Sequence, residues 1–170
     1  MHYNIFMVVK ASSRNGDIFT PAPVVRQMSA LCEPLISDST RKVFEPGCGT
    51  GNFLVEALTR RLRNGLTAGE ILVAVSNLYG VDTNAEYLAI ARERLKLMIN
   101  DFLGSDNREL DYRFWPLVDL FLATNLVQGD LIKQRGEMVF VDWRRVNDYE
   151  FRAVPSTLAD LIKAAEGENV

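Results

Sequence analysis

The sequence predicts an α/β protein built on a mostly parallel sheet with helices on both faces. Three observations carry that expectation. Strand-like and helix-like segments alternate through most of the chain. A loop with three glycines in five residues, Gly47, Gly49 and Gly51, joins a strand-like segment to a helical one. Three strand-like segments end near an acid: Glu45, Asp82 and Asp130. In such sheets ligands bind beyond the carboxyl ends of the strands, so these acids would meet along one edge.

The elements follow in order. The chain opens apolar, Ile5 to Val9, and turns polar from Ser12 to Asp17. Thr20 is placed to cap a helix whose first residue is Pro21. Val24, Val25, Met28, Leu31 and Leu35 then recur at helical spacing. Residues Arg41 to Glu45 read as the first strand. Phe53, Leu54, Ala57, Leu58 and Leu62 form the stripe of the next helix, which Gly65 stops. Thr67 opens a helix through Ile71, Leu72 and Val75, and Leu78 to Asp82 is a second strand. Asn84 caps a long helix carrying Tyr87, Leu88, Ala91, Leu95, Met98 and Phe102 on one side. Asp111 to Thr124 reads as helical but interrupted at Pro116. Asn125 to Asp130 is a third strand and Glu137 to Trp143 a fourth. Tyr149 to Val154 pairs back on the fourth across Val146-Asn147-Asp148. Ser156 caps a last helix, Leu158 to Ala165, and the tail from Glu166 frays.

At 170 residues the chain suits a single domain, 1–170. It divides into an N-terminal segment and helix (1–40), a ligand-binding core (41–132), and a hairpin with a C-terminal helix (133–170). Repeats, low-complexity segments and linkers are absent. The 19 Lys+Arg against 22 Asp+Glu leave a charge of -3, a poor footprint for gripping DNA alone. The short basic runs, Arg60, Arg61 and Arg63 and then Arg144 and Arg145, read as solvated helix face or strand end. Two cysteines, Cys32 and Cys48, and the lone His2 have no metal-ligand spacing, so no metal site is expected. No disulfide framework or signal peptide is visible, and no apolar run reaches the ~20 residues of a membrane span. A cytoplasmic protein without membrane contact is expected.

The chemistry concentrates in Glu45-Pro46-Gly47-Cys48-Gly49-Thr50-Gly51-Asn52-Phe53. Glycines between strand and helix let the backbone turn sharply and approach a ligand, and helix N–H groups beside the loop hold its polar atoms. The spacing Gly47-x-Gly49-x-Gly51 is not that of a dinucleotide loop, and no Gly-Lys-Ser/Thr follows, which excludes a Walker loop. The preceding Glu45 suits a cationic or amino-bearing ligand such as S-adenosylmethionine (SAM) rather than a pyrophosphate. Asp82 is placed to accept from both hydroxyls of a ribose, or alternatively to share in capping with Asn84. Asp130 is placed either to accept from an adenine amino group or to serve as a turn acid after Gly129. Nothing near Cys48 would activate it, so it reads as a small filler.

Together these segments resemble the N6-adenine DNA methyltransferases of the type I restriction-modification kind. The resemblance covers residues 16 to about 132, with four segments in the family's order. It implies a class I SAM-dependent methyltransferase with a Rossmann-like fold, truncated at its C-terminal end. It further implies a role in DNA methylation with SAM as cofactor. Phe19-Thr20-Pro21 resembles the segment over the methionine end of SAM, and Glu45 to Phe53 the glycine loop. Gly80-Val81-Asp82, followed by Thr83, resembles the ribose segment. Asn125 to Leu131, with Gly129, Asp130 and Leu131 at its end, resembles the adenine segment.

One departure is plain. The family's Asn/Asp/Ser-Pro-Pro-aromatic motif, whose polar groups hold the target amine while the aromatic stacks on the flipped base, is missing. At the end of the expected fourth strand stand Asp142 and Trp143, candidates for accepting from an amine and for stacking. Catalytic residues are otherwise unassigned. Three readings stay open: a SAM-binding methyltransferase-like protein that needs a partner or has diverged; a small active methyltransferase with an unusual acceptor site; and a non-enzymatic subunit or interaction module. A protein partner or second copy would pair at the exposed C-terminal strand edge. Binding to DNA by the chain alone is expected to be weak.

Overall fold

The computed structural model describes residues 19–104, 110–134 and 136–166, with 164–166 described by backbone alone. The apolar run Ile5 to Val9, the polar stretch after it and the tail beyond Glu166 lie outside the described residues. Six α-helices and five strands follow in this order among the described residues: α1 (Ala22–Ala30), β1 (Val43–Pro46), α2 (Asn52–Leu62), α3 (Ala68–Ser76), β2 (Leu78–Asp82), α4 (Ala85–Leu103), α5 (Phe114–Asn125), β3 (Leu126–Gln128), β4 (Val139–Asn147), β5 (Glu150–Thr157) and α6 (Leu158–Glu166).

Three of the strands form a parallel sheet in the order β1-β2-β3. Glu45 lies opposite Gly80, and Asp82 opposite Gln128. The carboxyl ends therefore share one edge, as the alternation of elements requires. Two apolar clusters cover the two faces. The larger joins Leu78 and Leu126 to buried residues of α2, α3, α4 and α5, such as Leu58, Leu72, Leu95 and Phe121. The smaller joins Tyr79 and Val81 to Met138, Phe140 and Leu161. Alternation along β2 assigns each cluster its face.

The fourth expected strand does not join this sheet. Among the described residues β4 pairs only with β5, antiparallel, as a separate two-stranded unit. Phe140 packs edge-on against Phe44, and two residues later Asp142 pairs with Lys42. Rising numbers in β4 thus meet falling numbers in β1, so β4 runs across the sheet away from the glycine loop. The Tyr79 hydroxyl fastens it by donating to the Val141 carbonyl at 3.2 Å.

Local departures have local causes. Thr20 makes no cap; Pro21 occupies that position and Pro23 the first turn, where missing N–H groups cost nothing. Of the five apolar residues expected at helical spacing only Val25 is buried; Val24, Met28 and Leu35 are exposed and Leu31 is 86% exposed. α1 meets α2 on the Val25 and Ser29 side, so its other apolar residues face outward. Pro116 does not interrupt α5, because the helix starts two residues before it and the ring sits in the first turn. The last helix is capped by Thr157 rather than Ser156, with reciprocal bonds between Thr157 and Asp160. The Arg60-Arg61 run is not a solvated face. Arg61 is fully buried and donates to the carbonyls of Ile36, Ala74 and Arg41. Burial pushes its guanidinium down to about 10. Arg60 pairs with Glu33 and Glu56.

Candidate functional site

The glycine loop is built by backbone conformations that side chains resist. Gly47, Gly49 and Gly51 have φ of 70°, 52° and 82°, the left-handed region that favours glycine. The alternation lets the chain leave β1, turn and enter α2 within six residues. The Cys48 N–H donates to the Val81 carbonyl at 2.8 Å, fixing the loop to β2. Gly80 makes room for this, since a Cβ there would lie 2.9 Å from the Cys48 Sγ. A Cβ on Gly51 would lie 3.0 Å from that of Ala91, so α2 begins directly against α4. Beside Gly47, by contrast, the space is open.

A pocket of about 310 Å³ opens over this loop. Its floor includes Glu45, Gly47, Cys48 and Gly49, and its far wall Asp82 and Thr83. Phe19, Thr20, Asn52 and Phe53 close it on another side. The structure thus brings together ten of the positions expected to bind a ligand. Asn84 and Tyr87 also line it. Both were visible in the sequence, but only as a helix cap and a member of an apolar stripe. Tyr87 meets the Phe19 ring edge-on at 5.2 Å, which stands Phe19 over Gly49.

Asp82 organises the wall. One carboxylate oxygen accepts from the Gly49 N–H and the other from the Asn84 N–H, each at 2.8 Å. The expected sharing in the cap with Asn84 is seen, and the same carboxylate lines the pocket. Each oxygen keeps a lone pair for a further donor. Glu45 is different. It is half-buried, it has no hydrogen-bond or ion-pair partner among the described residues, and burial pushes its carboxyl up. Cys48 is a buried thiol pushed up to about 12 by burial and then by the charges of Asp82 and Glu45, which suits a filler and not a nucleophile.

Other expected positions stand outside the lining. Pro21, Pro46, Thr50 and Gly51 support it through the backbone of the loop and the segment before α1. The Gly129 N–H donates to the Asp82 carbonyl, but the chain then turns away, and Leu131 packs under the sheet. Asp130 serves its own turn: it accepts from the N–H groups of Ile132 and Lys133 and pairs with the Lys133 ammonium. Asp142 and Trp143 lie on β4, away from the loop. Asp142 pairs with Lys42 at 2.9 Å and with Arg144 at 3.1 Å. Trp143 packs on Phe121 and donates to the Thr124 hydroxyl. Neither reaches the pocket, because β4 crosses the sheet in the opposite sense to that expected. Among the described residues no group of three His, Cys, Asp or Glu could hold a metal, and no helix is long and apolar enough to cross a membrane.

Compared with known families, residues 3–108 match the sequence model of the family described as N-6 DNA Methylase. The chain belongs to the N-6 DNA methylase family. The matched stretch contains Phe19, the glycine loop, Asp82 and Tyr87. It ends before α5, β3 and the β4–β5 hairpin. No curated protein and no solved structure matches the chain.

Proposed function

We propose that this pocket binds SAM in a Rossmann-like methyltransferase frame. The chain would then be a methyltransferase-like protein related to DNA adenine-N6 methylases that acts with a partner or has diverged in catalysis. One observation carries the reading: among the described residues the lining holds two carboxylates, Glu45 and Asp82, and no Lys or Arg. A pyrophosphate would face both charges without a counter-ion, whereas a ligand with an ammonium, a sulfonium and ribose hydroxyls matches them. Family membership agrees, and Glu45, without a partner among the described residues, is the kind of acceptor such a cation needs.

When bound, SAM supplies an electrophilic methyl group on its sulfonium. The residues of the chain bind and orient. Asp82 accepts from the ribose, with its oxygens already aimed by Gly49 and Asn84. Glu45 meets the amino group, and Phe19 and Tyr87 exclude water above the loop. Asp142 and Trp143 are committed elsewhere, so nothing favours a complete acceptor site within the described residues. A partner chain or second copy would pair along the two-stranded hairpin, where Val139 and Val146 are exposed.

Calorimetry on the purified chain tests the proposal. Saturable one-to-one binding of SAM and of its demethylated product is expected, weaker for SAM in Glu45→Gln. Absence of binding to the folded protein, or tighter binding of a dinucleotide, would overturn it.

A further inference from the structure

Arg94 sits midway along α4, half-buried and outside the pocket lining. Burial lowers its basicity, and no carboxylate pairs with it among the described residues. A guanidinium withdrawn from water without a counter-ion is costly unless its donors are well used. Among the described residues all its hydrogen bonds run from one nitrogen, Nη1. The acceptors are the Thr50 carbonyl at 2.6 Å, the Asn52 Oδ1 at 2.8 Å and the Thr50 hydroxyl at 3.3 Å.

The second of these bonds sets a direction. Arginine only donates, so the Asn52 amide must turn its oxygen toward Arg94 and its NH2 the other way. That NH2 donates to the Thr20 carbonyl at 2.9 Å. Thr20 follows Phe19, whose ring stands 3.0 Å from where a Gly49 Cβ would lie. A relay therefore runs from α4 through Asn52 to the backbone of the segment that closes the pocket.

We propose that Arg94 is a positioning residue: by fixing the orientation of the Asn52 amide it latches Phe19-Thr20 over the glycine loop and so sets how long a ligand stays in the pocket. The ligand arm of this proposal rests on the SAM reading above; the latch itself does not.

Two variants separate the possibilities. Arg94→Met removes the donor without touching the lining. Asn52→Asp keeps a partner for Arg94 and places an acid in the first turn of α2, where the helix dipole favours it, but it cannot donate to Thr20. Hydrogen exchange is measured on the unliganded protein in peptides covering Phe19 to Val25, together with stopped-flow dissociation of S-adenosylhomocysteine. Both variants are expected to raise exchange in those peptides selectively and to speed dissociation at least tenfold, with little change in association rate. If Arg94→Met does not fold, Asn52→Asp decides alone. Wild-type exchange and dissociation in a folded variant would overturn the latch while leaving the SAM reading intact. Failure of the wild-type chain to bind S-adenosylhomocysteine would overturn the SAM reading, and exchange would still judge the latch.

Discussion

The backbone N–H of Gly49 donates to the Asp82 carboxylate at 2.8 Å. With the bond from the Cys48 N–H to the Val81 carbonyl, it ties the glycine loop to the end of the neighbouring strand. The second carboxylate oxygen holds the N–H of Asn84 and so the start of α4. Asp82→Ala should therefore do two things. It should cost stability, through two backbone donors left without their acceptor, and it should weaken SAM by roughly 1–3 kcal/mol, the usual value of a charge-assisted hydrogen bond. Adenosine should weaken in parallel because it shares the ribose. Calorimetry with both ligands checks this; loss for SAM alone would place Asp82 at another part of the ligand.

Glu45 should show a trade between binding and stability. Burial raises its carboxyl above the ordinary glutamate value. The folded protein thus holds that proton more tightly than the unfolded chain, and the associated stability is full below the ordinary range. It is lost as pH rises through the raised value. Once ionised, the side chain, without a partner among the described residues, costs stability. Glu45→Gln should raise the Tm of the unliganded protein by roughly 1–2 °C at pH 7, a small effect because partial exposure screens the charge. The gain should vanish near pH 4. A lower Tm at pH 7 would mean that Glu45 has a stabilising partner.

The loop glycines should differ from one another. Gly51 has φ of 82° and no room, since a Cβ would lie 3.0 Å from that of Ala91. Gly47 has φ of 70° but open space beside it. Gly47→Ala should cost only the backbone strain, about 1–2 kcal/mol. Gly51→Ala should cost more, because α2 must also move off α4. Urea denaturation orders the two; equal losses would mean that strain alone decides.

The sheet and the loop were legible because their signals are local. Gly47, Gly49 and Gly51 announce left-handed turns, and Thr67 and Asn84 announce caps through bonds to residues two or three along. What was not legible depends on neighbours distant in sequence. Met28 and Leu31 have helical spacing, but whether that side of α1 meets anything depends on where α2 lies. Arg61 reads as surface until the carbonyls of Ile36, Arg41 and Ala74 surround it. The direction of β4 follows from Phe140 meeting Phe44 and from Lys42 meeting Asp142, about a hundred residues apart. No pattern within the strand carries that. Tyr87 has the spacing of a core residue and lies at the pocket because α4 starts beside Asp82.

Asp142 should matter for folding and not for the pocket. Burial opposes its ionisation, but Lys42 and then Arg144 outweigh that and hold the carboxyl below the usual range. Its side chain is 6% exposed. The stabilisation is present above the ordinary aspartate range and lost as pH falls through the lowered value. Lys42→Met should destabilise by roughly 1–3 kcal/mol, less than for a buried charge left wholly unpaired, because Arg144 still pairs with Asp142. SAM affinity of the folded variant should equal that of the wild type. A change in affinity without a change in stability would tie β4 to the pocket.

The chain alone should not methylate adenine in DNA. An exocyclic adenine amine is a poor nucleophile because its lone pair is shared with the ring. It attacks only when acceptors hold its hydrogens as the nitrogen becomes tetrahedral, a stabilisation realised in the transition state. The chain has no Asn/Asp/Ser-Pro-Pro-aromatic turn to supply those acceptors. Asp142 and Trp143 cannot replace it, since one is ion-paired to Lys42 and Arg144 and the other is packed on Phe121. Bringing a base out of the duplex costs a further few kcal/mol that contacts to DNA must offset. Here the net charge is -3 and Arg60 and Arg61 are occupied within the fold. Binding to duplex DNA should accordingly be weak and vanish at physiological salt. Incubation with labelled SAM and with single- and double-stranded DNA of mixed sequence checks both points. Label in N6-methyladenine that disappears in Asp142→Ala would show that β4 rearranges on DNA to build an acceptor site, and would replace partner dependence with a self-sufficient enzyme.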